Sequence, residues 1–219
     1  MTRVKICGLT NLEDALVAAG AGADYLGFIL WPNSKRAADP AAVPGIVRQL
    51  RQRPGCPLLV GVFVNSSAEE IASTLAEFDL DLAQLHGDEV PAMIGDPSSP
   101  IYGRAYKAIR PTSLEEAEAD AEWYTPPERH LDIPALMVDT YHPALRGGTG
   151  ETTDWEMAAR LAASVPGFML AGGLTPANVA GAVSQVKPFA VDVASGVELS
   201  PGKKDHNAVQ AFVEAVRDN

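Results

Sequence analysis

Basic residues are scarce in this sequence, and the shortage narrows the range of functions. Seventeen lysines and arginines stand against 28 acidic residues, which gives a formal net charge of −11 over 219 residues. Because nucleic acids and anionic membranes bind to basic surfaces, this balance argues against non-specific binding to either. It remains compatible with a small anionic ligand held in a local positive pocket.

Cysteine is rarer still, since Cys7 and Cys56 are the two in the sequence. Two cysteines do not make a disulfide framework, and neither a Cys-X-X-Cys pair nor a Cys/His metal spacing occurs. The apolar stretch 58–64 is far shorter than a bilayer span, and the N-terminus lacks the long apolar core of a signal peptide. We therefore expect a protein of the reducing cytoplasm, with no membrane contact and no metal.

Short apolar runs alternate with helical patterns along the whole chain. Eight such runs are rich in Val, Ile, Leu or Phe, as strands buried on both faces are, and each unit of about 27 residues has room for one strand and one helix. Eight alternations without a break in composition predict an α/β fold, a single (β/α)8 TIM barrel over residues 1–219. A doubly wound open sheet would suit six strands better. The predicted strands are 3–7, 24–30, 58–64, 82–85, 104–109, 134–139, 167–171 and 189–193.

Capping signals mark the starts of the predicted helices. Thr175 is expected to cap a helix whose first residue is Pro176. The fourth helix is expected to be short, because 96–100 carries two prolines and cannot be regular helix. Capping boxes are predicted at 10–13, 67–70 and 112–115.

Polar residues end several of the apolar strands, where the active site of a (β/α)8 barrel lies. Since side chains alternate along a strand, Lys5 and Cys7 share one face and are predicted to point into the barrel mouth. Gln84 and His86 share a face in the same way. The polar strand ends are Cys7, Asn65, His86, Asp139 and Asp192.

Glycine-rich turns follow the last three predicted strands. Glycine lets backbone N–H groups approach an anion closely, and the turns after strands seven and eight are the usual phosphate site of this architecture. No Walker lysine motif and no Gly-X-Gly-X-X-Gly occurs, so neither a nucleoside triphosphate nor NAD is implied. The turn residues singled out for phosphate are Gly148, Gly172, Gly173, Ser195 and Gly196.

Ten short motifs occur along the chain. Each alone is moderately specific, and the ten together in this order are very specific. With them, the chain resembles the phosphoribosylanthranilate isomerase family of tryptophan biosynthesis over nearly its whole length. It departs from the family in the reduced fourth helix and in an extended stretch at 141–146, which concern loop shape. The motifs lie at 5–10, 27–30 with 34–36, 61–65, 84–87, 138–140, 147–150, 154–155, 171–174, 192–198 and 201–205.

The resemblance implies an Amadori rearrangement of N-(5′-phosphoribosyl)anthranilate, carried out by general acid–base catalysis without a cofactor. It assigns Cys7 as general base and Asp139 as general acid, against the alternatives of a buried structural thiol and of a helix cap or salt bridge. It makes Arg36 the clamp for the anthranilate carboxylate rather than a solvated loop arginine. His86 would line the site without transferring a proton, and Asp192 would bind a substrate hydroxyl or orient a neighbour.

Two lysine predictions accompany these assignments. The pKa of a free thiol is too high for an effective base near neutral pH. We therefore expect the cation of Lys5 to lower the pKa of Cys7. Lys203 and Lys204, before the last helix, are expected to be a solvated charge pair.

Rival functions stay open at this point. They are a related aminoaldose isomerase of histidine biosynthesis, a lyase resembling the tryptophan synthase α chain, and a non-catalytic phosphate-binding barrel. A thiol at the end of strand one argues against the first two, and the presence of both Cys7 and Asp139 argues against the third. The expected partner is a phosphorylated small molecule, and the chain is expected to be a monomer or a homodimer.

Overall fold

Parallel strands form a closed barrel at the centre of the molecule. The structure, a computed structural model, describes residues 1–126, 131–139 and 150–219, with the backbone alone for 150–154. Within these residues eight strands pair in chain order, and the last pairs with the first. This confirms the predicted (β/α)8 fold. The strands are β1 (Arg3–Cys7), β2 (Tyr25–Ile29), β3 (Leu58–Phe63), β4 (Leu82–Leu85), β5 (Ala105–Ile109), β6 (Leu136–Asp139), β7 (Phe168–Ala171) and β8 (Ala190–Val193).

Helices follow the strands and cover the outside of the barrel. A small antiparallel pair, β9 (Glu198–Ser200) and β10 (Lys203–Lys204), precedes the last helix. Among the described residues, no helix combines the length and the apolarity needed to cross a membrane. The helices are α1 (Leu12–Gly20), α2 (Val43–Arg51), α3 (Ala68–Glu77), α4 (Ala92–Gly95), α5 (Leu114–Tyr124), α6 (Gly150–Ser164), α7 (Val179–Val186) and α8 (His206–Arg217).

The strands bury both faces, and this produces two apolar layers. Val4 and Ile6 on β1 belong to the outer layer, which lies between the barrel and its helices. Tyr25, Val60 and Tyr106 belong to the layer inside the barrel. Since side chains alternate along a strand, the residues that follow these inner positions in steps of two face the C-terminal mouth.

The strand register sets which side chains meet at that mouth. In the parallel pairing of β1 with its neighbours, Lys5 lies beside Asp192 of β8 and Cys7 lies beside Gly27 of β2. The end of β1 therefore places a cation beside a carboxylate, with a thiol two residues further along the same face of the strand.

The predicted strands are close to the observed ones, whereas the predicted helix starts are less accurate. The capping box at 67–70 is confirmed, and α4 is as short as expected, with four residues. The other starts are wrong by one to three residues. Asn11 caps α1, because the neighbouring Thr10 donates its hydroxyl to the carbonyl of Gly202. Ser113, one residue after the predicted cap, caps α5.

The start of α7 differs most from the expectation. The helix begins at Val179, and residues 176–178 form a turn before it. Thr175 does not cap the helix through its side chain as predicted. Instead its own N–H donates to the Asn178 side chain at 2.7 Å.

Candidate active site

Lys5 and Asp192 form an ion pair inside the mouth of the barrel. The Nζ and Oδ1 atoms are 2.7 Å apart, and the two side chains are 0% and 8% exposed. Burial by itself would lower the pKa of Lys5, but the charge of Asp192, together with Cys7 and Tyr106, raises that pKa above its ordinary value. Lys5 is therefore a fixed positive charge at physiological pH.

The thiol of Cys7 lies next to this pair and is buried. A Cβ atom placed on Gly27 would lie 2.7 Å from the Sγ of Cys7 and 3.1 Å from the Nζ of Lys5, so both groups face the same glycine. Burial raises the pKa of the Cys7 thiol, Lys5 opposes the rise, and Asp192 adds to it. Lys5 thus acts in the predicted direction, but the prediction of a lowered thiol pKa is wrong because desolvation outweighs the cation.

Asp139 ends β6 and lies close to a cation that follows β5. Its Oδ2 is 3.8 Å from the Nε of Arg110, and the two side chains are 23% and 60% exposed. An ion pair this long and this exposed is weak. Arg110 therefore does not hold Asp139 in a strong salt bridge, and the Asp139 side chain is partly exposed at the mouth.

His86 stands after β4 and is held by Gln84 from the same strand. The side-chain nitrogen of Gln84 is 2.8 Å from Nδ1 of His86, and the hydroxyl of Tyr106 donates to Gln84 Oε1 at 3.1 Å. Burial, followed by the charges of Arg110, Lys5 and Lys107, lowers the pKa of His86 to about 3. The imidazole is therefore neutral, in keeping with a residue that lines the site without transferring a proton.

Arg36 is anchored by a buried carboxylate. Its Nε lies 2.9 and 2.8 Å from the two oxygens of Glu198, whose side chain is 3% exposed. The Nζ of Lys204 lies 3.1 Å from the same carboxylate, and the N–H of Gly202 donates to it at 3.2 Å. Lys204 is 1% exposed, so the prediction of a solvated pair is wrong for this residue and holds for Lys203, which is exposed.

The turns after β7 and β8 pack against each other. Gly172 and Gly173 have φ values of 96° and 63°, a backbone region that favours glycine. A Cβ atom on Gly196 would overlap the carbonyl oxygen of Leu174, so the two turns meet at this glycine. Ser195 is exposed at the start of a 3-10 turn. Gly148, the remaining predicted phosphate residue, lies outside the described residues.

The arrangement is suited to proton transfer on an anionic substrate. The thiol of β1 and the carboxylate of β6 are separated by β7 and β8 on one side and by four strands on the other, so they belong to different sides of the mouth. In the described part of the chain, no three His, Cys, Asp or Glu residues are grouped as a metal site would require. The chemistry that these side chains offer is general acid–base catalysis.

The family model described as N-(5′phosphoribosyl)anthranilate (PRA) isomerase matches residues 4–215. The chain belongs to this family. Among the family's curated members, the N-(5′-phosphoribosyl)anthranilate isomerase of Geobacter sp. (strain M21) is 46% identical over 214 residues, which cover 97% of both chains. The resemblance inferred from the ten motifs is thereby confirmed.

Solved structures of phosphoribosyl anthranilate isomerases have the same fold. The enzyme from Thermotoga maritima superimposes with a TM-score of 0.82 at 36% identity, and the match covers all of both chains. A phosphoribosyl anthranilate isomerase in complex with reduced 1-(o-carboxyphenylamino)-1-deoxyribulose 5-phosphate has a TM-score of 0.79 at 33% identity, again over all of both chains.

In this phosphoribosylanthranilate isomerase barrel, most of the residues singled out in the sequence are at one end. Cys7, His86, Asp139 and Asp192 stand at the ends of β1, β4, β6 and β8, and Arg36 lies in the loop after β2. The three described glycines and Ser195 lie in the turns after β7 and β8.

Three charged residues near the candidate site were not assigned to it from the sequence. Arg110 directly follows β5, and the same search for polar strand ends would have found it. Glu198 and Lys204 gave no such signal, because the hairpin of β9 and β10 brings them together.

Proposed function

We propose that Cys7 and Asp139 are the base and the acid with which this isomerase rearranges N-(5′-phosphoribosyl)anthranilate to 1-(2-carboxyphenylamino)-1-deoxyribulose 5-phosphate. The observation that carries the proposal is the placement of a buried thiol at the end of β1 and a partly exposed carboxylate at the end of β6, both at one barrel mouth. Family membership supplies the reaction, and the geometry supports these two residues as its proton carriers.

The rearrangement needs one acid and one base on different sides of the sugar. Asp139, in its protonated form, gives a proton to the furanose oxygen, and the ring opens to a protonated Schiff base. The thiolate of Cys7 then removes the proton from the adjacent sugar carbon, which gives an enolamine that tautomerises to the ketone. The substrate nitrogen accepts the electron pair, so the residues of the protein have only protons to transfer.

The buried ion pair supports an orienting role for Asp192. Asp192 holds Lys5 at 2.7 Å, and Lys5 lies against the thiol that acts as base. Of the two roles predicted for Asp192, positioning a neighbour therefore has a structural basis. Lys5 in turn stabilises the thiolate of Cys7, because its charge lowers the pKa of that thiol against the effect of burial.

Arg36 fits the role of the carboxylate clamp. Glu198 occupies its Nε, and within the described residues its two terminal nitrogens donate no hydrogen bond. The guanidinium therefore presents a two-donor edge that matches a carboxylate such as that of anthranilate. The turns at Gly172, Gly173, Ser195 and Gly196 are the proposed phosphate site, and Gly148 joins them on the sequence argument alone.

Turnover of phosphoribosylanthranilate, prepared in situ, tests the function directly. The anthranilate-type fluorescence should fall when the protein is added, and Cys7→Ala should abolish the fall. Cys56→Ala is the matched control, because Cys56 precedes β3 at the opposite end of the barrel and contacts Pro57 and Arg51. A wild-type protein without turnover would refute the function, and a fully active Cys7→Ala would refute the base.

The acid is tested by paired substitutions of the two carboxylates. Asp139→Asn should lower kcat by at least about 100-fold, since it removes the proton donor. Asp192→Asn should have a smaller effect on kcat, because it acts through Lys5. A much larger kcat loss at Asp192 would reverse the two assignments.

A further inference from the structure

A line of hydrogen bonds inside the barrel ends at the ring of His86. Tyr106 donates to Oε1 of Gln84, and the amide nitrogen of Gln84 faces Nδ1 of His86. Gln84 and Tyr106 are 1% and 0% exposed, so solvent offers neither group an alternative partner. The opposite orientation of the Gln84 amide would leave the buried hydroxyl proton of Tyr106 without an acceptor among the described residues, which is costly.

The direction of these hydrogen bonds determines where the proton of His86 sits. The amide NH2 of Gln84 is a donor, so Nδ1 must accept and therefore carries no proton. A neutral imidazole holds one proton, which then belongs to Nε2. Gln84 thus selects one of the two tautomers of His86.

The protonated Nε2 of His86 is a hydrogen-bond donor for which no described residue supplies an acceptor. It is buried, and it has no hydrogen-bond partner in the part of the chain that the structure describes. A buried donor without an acceptor is energetically unfavourable, so a ligand oxygen that pairs with it here binds more tightly. His86 follows β4 on the face of Gln84, which places this donor at the mouth with Cys7 and Asp139.

The charges around the ring keep it neutral. Lys5 on β1, Lys107 on β5 and Arg110 after β5 all oppose a positive charge on His86, and burial acts in the same direction. With its pKa lowered to about 3, His86 is not an imidazolium near neutral pH and so is no general acid, and it is too weak a base to take up the substrate proton. It is suited to donating a hydrogen bond, as a neutral imidazole does when it polarises a carbonyl oxygen.

We propose that Gln84 is a positioning residue that holds His86 as its Nε2–H tautomer, and that this N–H donates a hydrogen bond to a sugar oxygen of the bound aminoaldose. No proton is transferred from His86. The identity of the acceptor rests on the proposed function, because the open-chain sugar carries the oxygen that becomes the ketone. The tautomer itself rests on the hydrogen bonds alone.

Nitrogen-15 NMR of the histidine ring tests the tautomer in the protein without substrate. In the wild type we expect protonated Nε2 and unprotonated Nδ1 for His86, unchanged from about pH 5 to about pH 9. In Gln84→Glu the carboxylate can accept but cannot donate, so Nδ1 should carry a proton, either in the other tautomer or in an imidazolium. Gln210→Glu, the same substitution on the exposed face of α8, should leave the His86 signals as in the wild type.

Kinetics test the contact with the sugar. Gln84→Glu and His86→Leu should each lower kcat/KM by at least about tenfold, whereas His86→Gln, which offers an amide N–H near the position of Nε2, should recover part of the loss. Circular dichroism and thermal unfolding show whether each variant is folded, and an unchanged tautomer in a folded Gln84→Glu overturns the positioning role.

The two proposals fail in distinguishable ways. A wild-type His86 that carries its proton on Nδ1, or that titrates near its ordinary pKa, overturns the tautomer whatever the substrate. Equal activity of His86→Leu and the wild type overturns the contact with the sugar. The expected NMR pattern in a protein without turnover contradicts the proposed function and supports the Gln84–His86 arrangement.

Discussion

Glu198 accepts from the Nε of Arg36 with both carboxylate oxygens, at 2.9 and 2.8 Å. The same carboxylate accepts a hydrogen bond from the buried ammonium of Lys204, whose Nζ lies 3.1 Å from Oε1. Burial lowers the pKa of Lys204, and Glu198 opposes that shift. One carboxylate therefore both orients the proposed substrate clamp and compensates a buried charge, so its removal should affect substrate binding and stability together.

Glu198→Gln keeps the shape of the side chain and removes its charge. We expect KM for phosphoribosylanthranilate to rise by about tenfold with a smaller change in kcat, because Arg36 loses its orientation. The free energy of unfolding should fall by about 3 kcal/mol, the cost of leaving a buried charge without its partner. Steady-state kinetics and urea unfolding measure the two effects. Glu214→Gln on the exposed face of α8 is the control, and a Glu198→Gln with unchanged KM would contradict the clamp.

The pH profile of Cys7 alkylation reports the balance between burial and charge. In a Cys56→Ala background, the midpoint should lie above that of an unstructured thiol, because burial raises the pKa of Cys7. Lys5→Met should move the midpoint further up, since the cation lowers this pKa, and Asp192→Asn should move it down, since the carboxylate raises it.

Breaking a buried ion pair costs about 3–5 kcal/mol, so the fold of each variant is checked by circular dichroism before alkylation. The double variant Lys5→Met with Asp192→Asn removes both charges and serves as the reference. An unshifted profile in a folded Lys5→Met would refute the influence of Lys5 on the thiol.

The barrel and most of its mouth could be predicted because their signals are local. Apolar runs mark strands buried on both faces, and a polar residue such as Cys7 or Asp192 at the end of such a run is not required by the strand itself. Alternation along β1 also predicted correctly that Lys5 and Cys7 share a face, and the structure places both against Gly27.

The remaining features depend on quantities that a local pattern does not contain. The pKa of Cys7 is raised by burial from the whole barrel, whereas the sequence displays only the nearby cation Lys5. Two adjacent lysines are usually solvated, and Lys204 is buried because the fold brings Glu198 to it. At the start of α1, Thr10 and Asn11 are both good caps, and a distant carbonyl, that of Gly202, decides between them.

Gly27→Ala should disable the site through a single methyl group. The added Cβ would lie 2.7 Å from the Sγ of Cys7 and 3.2 Å from its Cα, and the backbone of β1 cannot retreat within the barrel. We expect kcat/KM to fall by at least about 100-fold and the free energy of unfolding to fall by about 1–3 kcal/mol.

Gly45→Ala provides the matched control for this substitution. Gly45 lies in α2, and a Cβ there meets nothing within 4 Å. The control should keep full activity and gain up to about 1 kcal/mol of stability, because alanine favours the helix. Equal activity in the two variants would show that a methyl group fits at residue 27 without displacing Cys7. This result would contradict the close packing of the thiol against Gly27.

The neutral His86 should make the protein sensitive to acid. In the folded protein its pKa is lowered to about 3, whereas in the unfolded chain the ring titrates near 6.5. Below about pH 6.5 the unfolded state therefore binds one more proton than the folded state, and stability is lost as the pH falls towards 3. This single group contributes up to about 1.4 kcal/mol per pH unit in that window.

Urea unfolding of the wild type and of His86→Gln, measured at several pH values between about 7.5 and 4.5, isolates the contribution of His86 from that of the carboxylates. The wild type should lose stability more steeply than the variant below about pH 6, so the difference between the two free energies of unfolding should change by about 1 kcal/mol or more across the range. Parallel curves would mean that His86 titrates alike in both states, because a group without a pKa difference contributes no pH dependence to folding.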